Sequence, residues 1–165
     1  MKIILKIFCL LILLNILSFA QQIKISIDNV TENRAILFSL SGEKQTFVDS
    51  ISALTAGQFS FSNENLRTGF YRLSFGKHKS ITFLNDGKDI EITADAENIA
   101  ESLHAVNSES NKLYYEFVKL NRDYKTKSEL LQLILSRYPS NDDYYDLTKQ
   151  KLNELQYDYL KFVNM

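Results

Sequence analysis

Apolar and polar positions alternate in short runs from Ile23 to Ile92, and beyond residue 100 the period lengthens. Ile23, Ile25 and Ile27 alternate with Lys24, Ser26 and Asp28, which predicts a half-buried strand. Further strands are predicted over residues 35–40, 45–51, 58–62, 70–75 and 80–84, with a last one around Ile90 and Ile92. Residues 29–33, Ser41-Gly42, residues 76–79 and Asn85-Asp86-Gly87-Lys88 punctuate them. The Asp-Gly pair supplies the positive φ that tight hairpin turns require. Seven short strands at about ten-residue spacing predict an antiparallel β-sandwich or barrel. No strand–helix–strand unit interrupts them, so a parallel α/β sheet is not expected.

After residue 100 the apolar positions fall three and four apart. Leu113, Phe117, Leu120 and Tyr124 mark one helical face. Thr126-Lys127-Ser128-Glu129 fits a capping box, which predicts that the helix restarts there. Leu130, Leu131, Ile134, Leu135 and Tyr138 continue the stripe to Pro139, which disfavours a helical residue before it. Ser140 is the expected N-cap of a last helix, with Asp142 and Asp143 in its first turn. Tyr145, Leu152, Leu155, Tyr159 and Phe162 would form its buried face. The fold class is α+β by segments. An antiparallel β-sandwich of seven or eight strands over residues 21–106 precedes a helical hairpin over residues 107–165.

The first 20 residues change the compartment. Lys2 and Lys6 precede an apolar run from Ile7 to Leu17, and Ser18-Phe19-Ala20 follows with small residues where a signal peptidase reads. This is a secretory signal pattern with Gln21 as the expected mature start. The run of 11 residues falls short of the roughly 20 needed to span a membrane. The only cysteine, Cys9, lies inside it. The mature chain therefore has no disulfide, thiol chemistry or thiolate metal site to draw on. Without Lys2 and Lys6, 17 Lys+Arg face 20 Asp+Glu, a net charge of −3. That balance speaks against nucleic acid or an anionic membrane as partner.

One ordered set of features carries a resemblance. Asp49-Ser50, Gly57-Gln58-Phe59-Ser60-Phe61, Tyr71-Arg72-Leu73, Phe83-Leu84 and residues 87–92 follow one another, and Asn107 to Asn111 then opens a long helix. Together these resemble the uncharacterised N-terminal β-domain of exported bacterial thioredoxin-like proteins of the thiol–disulfide interchange class. The resemblance covers nearly all of the chain after residue 20. It implies a location in the periplasm or cell envelope of a gram-negative bacterium and an accessory role. In that family the helices lead into a thioredoxin domain with a Cys-x-x-Cys site. This sequence has no such motif, so the family's redox activity is not implied. A stand-alone accessory domain and a shortened thioredoxin-like protein both fit the resemblance. Asp49, Ser50, Gly57, Phe59, Phe61, Tyr71 and Gly87 are framework residues on this reading.

No catalytic, cofactor-binding or metal-ligating set is expected. His78 and His104 have no ligand partners at metal spacing apart from Glu101, and read as a turn residue and a surface residue. Asp49-Ser50 has no histidine placed to activate the serine and is expected to end a strand and cap the next turn. Asp-Ser-Ile also fits a short acceptor pattern for O-linked glycans, with Ser50 as acceptor. Asn29-Val30-Thr31 matches the N-glycosylation pattern but reads as a turn. Asp86, Asp89, Asp95 and Glu97 lack the ligand order of a calcium loop. Tyr114, Tyr115, Tyr144, Tyr145, Tyr157 and Tyr159 are dense for a hairpin, and tyrosine suits interfaces. The expectation is a non-enzymatic module that binds a protein partner or dimerises through these tyrosines or a sandwich edge. The alternative is a β-sandwich that binds a small molecule or glycan.

Overall fold

A computed structural model describes residues 21–164, so the predicted signal segment and Cys9 lie outside the described residues. The chain forms two compact units that meet between Ser108 and Glu109.

The first unit holds eight strands: β1 (Gln22–Asp28), β2 (Arg34–Ser41), β3 (Lys44–Ser52), β4 (Gln58–Ser62), β5 (Gly69–Phe75), β6 (Lys79–Asn85), β7 (Ile90–Asp95) and β8 (His104–Ala105). A short helix α1 (Ile99–Ser102) precedes β8. Sheet A has the order β4-β1-β7-β8 and sheet B the order β3-β2-β5-β6. The alternating residues explain the sandwich. Ile23, Ile25, Ile27, Phe59, Ile90 and Ile92 of sheet A and Leu37, Leu73, Phe75, Ile81 and Phe83 of sheet B are buried. Phe61 of sheet A lies 6.4 Å from Phe83 of sheet B between ring centroids, and Phe83 stacks on Tyr71 at 5.9 Å.

One pairing departs from the antiparallel expectation. β1 and β7 run parallel, with Ile23 beside Ile90 and Ile25 beside Ile92. Parallel neighbours need a long crossover, usually a helix. Here the chain between β1 and β7 supplies it by building all of sheet B and β4 before returning. The eighth strand and α1 add to the seven runs read from alternation. β8 is too short to show a period, and its Ala105 pairs with Ile92.

The second unit is an antiparallel pair of helices, α2 (Glu109–Leu135) and α3 (Asp143–Val163). α2 runs through Thr126 without the predicted restart. Its capping-box residues sit mid-helix, and Ser128 is buried, with its hydroxyl accepting from Gln132 Nε2 at 3.3 Å. The cap of α3 also shifts. Asp142, in extended backbone, is the N-cap in place of Ser140, and its carboxylate accepts from Tyr144 N at 2.7 Å. Asp143 and Asp146 occupy the first turn. A carboxylate two residues nearer the apolar repeat both caps the helix and meets its dipole. The predicted face of α3 is inward: Tyr145, Leu152, Leu155, Tyr159 and Phe162 are half-buried. Tyr159 stacks on Tyr124 at 4.3 Å and donates to Asn121 Oδ1 at 3.1 Å.

Candidate functional site

The two sheets present opposite chemistries outward. Sheet A follows the rule for a sheet with one wet face. Its outward rows are polar: Ser60, Lys24 and Glu91 stand side by side, as do Gln58, Ser26, Thr93 and His104. Ser26 Oγ and Gln58 Oε1 are 2.9 Å apart, one hydrogen bond across that face.

Sheet B breaks the rule. Pairing across its four strands lines up Phe47, Phe38, Arg72 and Thr82 in one row. Ser50, Ile36, Ser74 and Ser80 form the row on one side. On the other side stand Gln45 beside Leu40 and Phe70 beside Leu84. Phe47 is 62% exposed, and Ile36 and Phe70 are each 40% exposed. The sequence reason lies in β2, whose run Ala35-Ile36-Leu37-Phe38 is apolar on both faces. Ala35 and Leu37 fill the core, while Ile36 and Phe38 point outward. Arg72 is the only charged residue in these rows, and its Nε donates to Thr82 Oγ1 at 3.4 Å.

This face leads into a notch of about 340 Å³ beside Leu40, Val48 and Phe70, walled by the β4–β5 loop at Asn65, Arg67 and Thr68. The loop is held from below. Tyr71 Oη donates to the Arg67 carbonyl at 2.9 Å. The Asn85 side chain, fully buried, donates to the Leu66 and Arg67 carbonyls at 3.4 and 3.3 Å and accepts from Gly87 N at 3.1 Å. Asn63 Nδ2 reaches the Lys88 carbonyl at 2.9 Å. Burial holds the Tyr71 hydroxyl above the ordinary phenol range, against the opposing pull of its bond to Arg67. Tyr71 and Gly87, read as framework from the sequence, therefore stand behind the notch.

Asp49 and Ser50 are not at a strand end. They lie inside β3, next to a bulge where the register shifts between Leu37 and Phe38 and Val48 is the extra residue. Asp49 Oδ1 accepts from Ser50 N at 2.7 Å, so the carboxylate serves a backbone amide of an edge strand instead of capping a turn. Gly57 has φ +76° and its carbonyl accepts from Ile27 N at 2.8 Å. Phe59 is buried and Phe61 half-buried.

Asp86, Asp89 and Asp95 accept hydrogen bonds within turns and from the two ends of β1. Asp86 accepts from Lys88 N, Asp89 from Gln22 N, and Asp95 from Glu97 N and Asn29 Nδ2. The Asn29 bond, with that from Glu97, holds the Asp95 carboxyl below the ordinary aspartate range. His78 sits in a turn with φ +66°, and His104 is exposed on β8. Among the described residues no three His, Cys, Asp or Glu side chains stand together as metal ligands.

The six tyrosines divide. Tyr144 and Tyr157 are exposed, and Tyr138 packs on Tyr144 at 5.1 Å. Tyr114 and Tyr115 pack on each other at 5.5 Å. Burial, with a smaller contribution from Tyr114, raises the pKa of the Tyr115 hydroxyl. Tyr145 and Tyr159 belong to the inward face of α3. Large apolar residues are exposed on the hairpin as well, among them Leu113, Leu130, Leu133 and Leu147. The outward apolar rows of sheet B escaped sequence reading, because a doubly apolar strand looks the same whether its second face is covered or open.

Among known proteins, no family model matches this chain and no curated protein matches it.

Proposed function

We propose that this chain is an exported, non-catalytic accessory module that docks a partner protein on the outer face of sheet B. The observation that carries the reading is the contrast between the two sheets. One outward face is polar throughout, and the other sets Ile36, Phe38, Leu40, Phe47, Phe70 and Leu84 around a single arginine. Contiguous apolar surface rimmed by polar groups is the usual mark of a binding surface, and aromatic residues with Arg are favoured at its centre. The resemblance to the N-terminal domain of exported thioredoxin-like proteins supports an accessory role in the envelope. Site-specific photo-crosslinking tests it. A benzophenone side chain at Phe47 should give a protein adduct in the exporting cell, and one at Lys24 on sheet A should not. Equal labelling from both positions, or none from Phe47, would overturn the reading.

A second reading has its own observation. The notch beside Phe70 falls within the size range of small-molecule sites and offers Asn65, Arg67 and Thr68 as polar contacts. A small molecule or glycan held there would appear as a bound mass in native mass spectrometry of the purified protein. Arg67→Ala should remove it.

A further inference from the structure

On the hairpin, Lys127, Leu130 and Leu131 of α2 and Lys151, Glu154, Leu155 and Asp158 of α3 line an open groove of about 410 Å³. Its floor is aliphatic. Leu130, Leu131 and Leu155 supply it, and Leu130 is 59% exposed. A helix pair with such a seam left open has the surface that a four-helix bundle buries. The charges on the rim are not all spent. Lys151 is paired with Glu154 at 2.7 Å, whereas Lys127 and Asp158 form no ion pair among the described residues. One unpaired cation and one unpaired anion on the same groove are what a two-fold contact uses, since each copy offers the other both members of the pair. The size is adequate. The 21 residues of α3 run about 31 Å, and two helices side by side are about 20 Å across. The projected face is therefore about 600 Å². That is about three-quarters of the roughly 800 Å² per partner of a standard interface.

We infer that this groove is the contact of a homodimer, in which two hairpins pack as a four-helix bundle. Leu130 of each copy enters the other's groove, and Lys127 of each pairs with the partner copy's Asp158. The inference is independent of the partner face on sheet B, because it concerns different residues. Light scattering on the purified full chain should give twice the mass of one chain. Leu130→Glu, at an exposed helical position, should give single-chain mass with unchanged far-UV circular dichroism. Lys127→Asp should raise the dimer dissociation constant about tenfold through two symmetry-related pairs. Lys127→Asp with Asp158→Lys should restore it. A wild-type chain of single mass at its highest soluble concentration overturns the inference. So does a dimer that neither Leu130→Glu nor the charge exchange affects. The crosslink from Phe47 is read separately, so loss of one proposal leaves the other standing.

Discussion

Gly57 and Gly87 both have positive φ, +76° and +82°, but only one is crowded. A Cβ on Gly87 would meet nothing within 4 Å, whereas a Cβ on Gly57 would lie 2.1 Å from the carbonyl oxygen of Ile27. Gly87→Ala therefore carries the left-handed backbone penalty of about 1–2 kcal/mol, offset in part by about 0.4–1 kcal/mol from a stiffer unfolded chain. The net cost is about 1 kcal/mol. Gly57→Ala carries the same terms plus the clash. Because backbone is the obstacle, no rotamer relieves it, and β1 must move about 1 Å to restore an ordinary contact. That movement stretches the bond from Ile27 N to the Gly57 carbonyl, 2.8 Å long, worth about 1 kcal/mol. It also loosens Ile27, which is buried in the core, at about 1–2 kcal/mol. The expected total is about 3–4 kcal/mol. Urea unfolding followed through the amide signals of β1 would read the difference. With a slope of about 1.5 kcal/mol per molar urea, the two midpoints should lie about 1.3–2 M apart. Coincident midpoints would refute the argument that the Ile27 carbonyl, beyond the φ value, makes Gly57 necessary.

Other predictions follow from the same unit and from the hairpin. Asn85→Ala should cost about 2–4 kcal/mol in urea unfolding, since it strips partners from the Leu66 and Arg67 carbonyls and from Gly87 N. It should also broaden the amide signals of residues 63–68. Asn29→Gly tolerates the φ of +56° but removes the donor to Asp95, so the Asp95 carboxyl should titrate closer to the ordinary aspartate value by NMR. The sign of the pH effect follows from the lowered folded value. The wild-type contribution is fully present above the unfolded aspartate value of about 4 and is lost as pH falls from there through the lower folded value, so the variant should lose less stability on acidification. Asp142→Ala removes the cap bond to Tyr144 N and should destabilise α3 by about 1 kcal/mol, seen as earlier loss of the helical signal on heating. An unchanged melting curve would count against the cap.

How much of this was legible in the chain depends on what each feature needs. Ile23, Ile25 and Ile27 against Lys24, Ser26 and Asp28 reveal a strand because one face is wet, and the period of two records that difference. The helical stripe of α3 is readable for the same reason. Parallel pairing of β1 with β7 is not, since it depends on where the chain returns after sheet B, a non-local fact that no window of residues contains. Caps fail differently. Ser140 and Asp142 are both good N-caps, and the choice between them rests on where the chain turns after Pro139. Alternation also carries no signal in β2, where Ala35, Ile36, Leu37 and Phe38 are apolar in succession. A strand covered on both sides and a strand with an apolar face open to solvent have the same sequence pattern. The local rule thus fails at the candidate site itself. An open apolar face lowers the chain's own solubility, and on the reading proposed above a partner protein covers it.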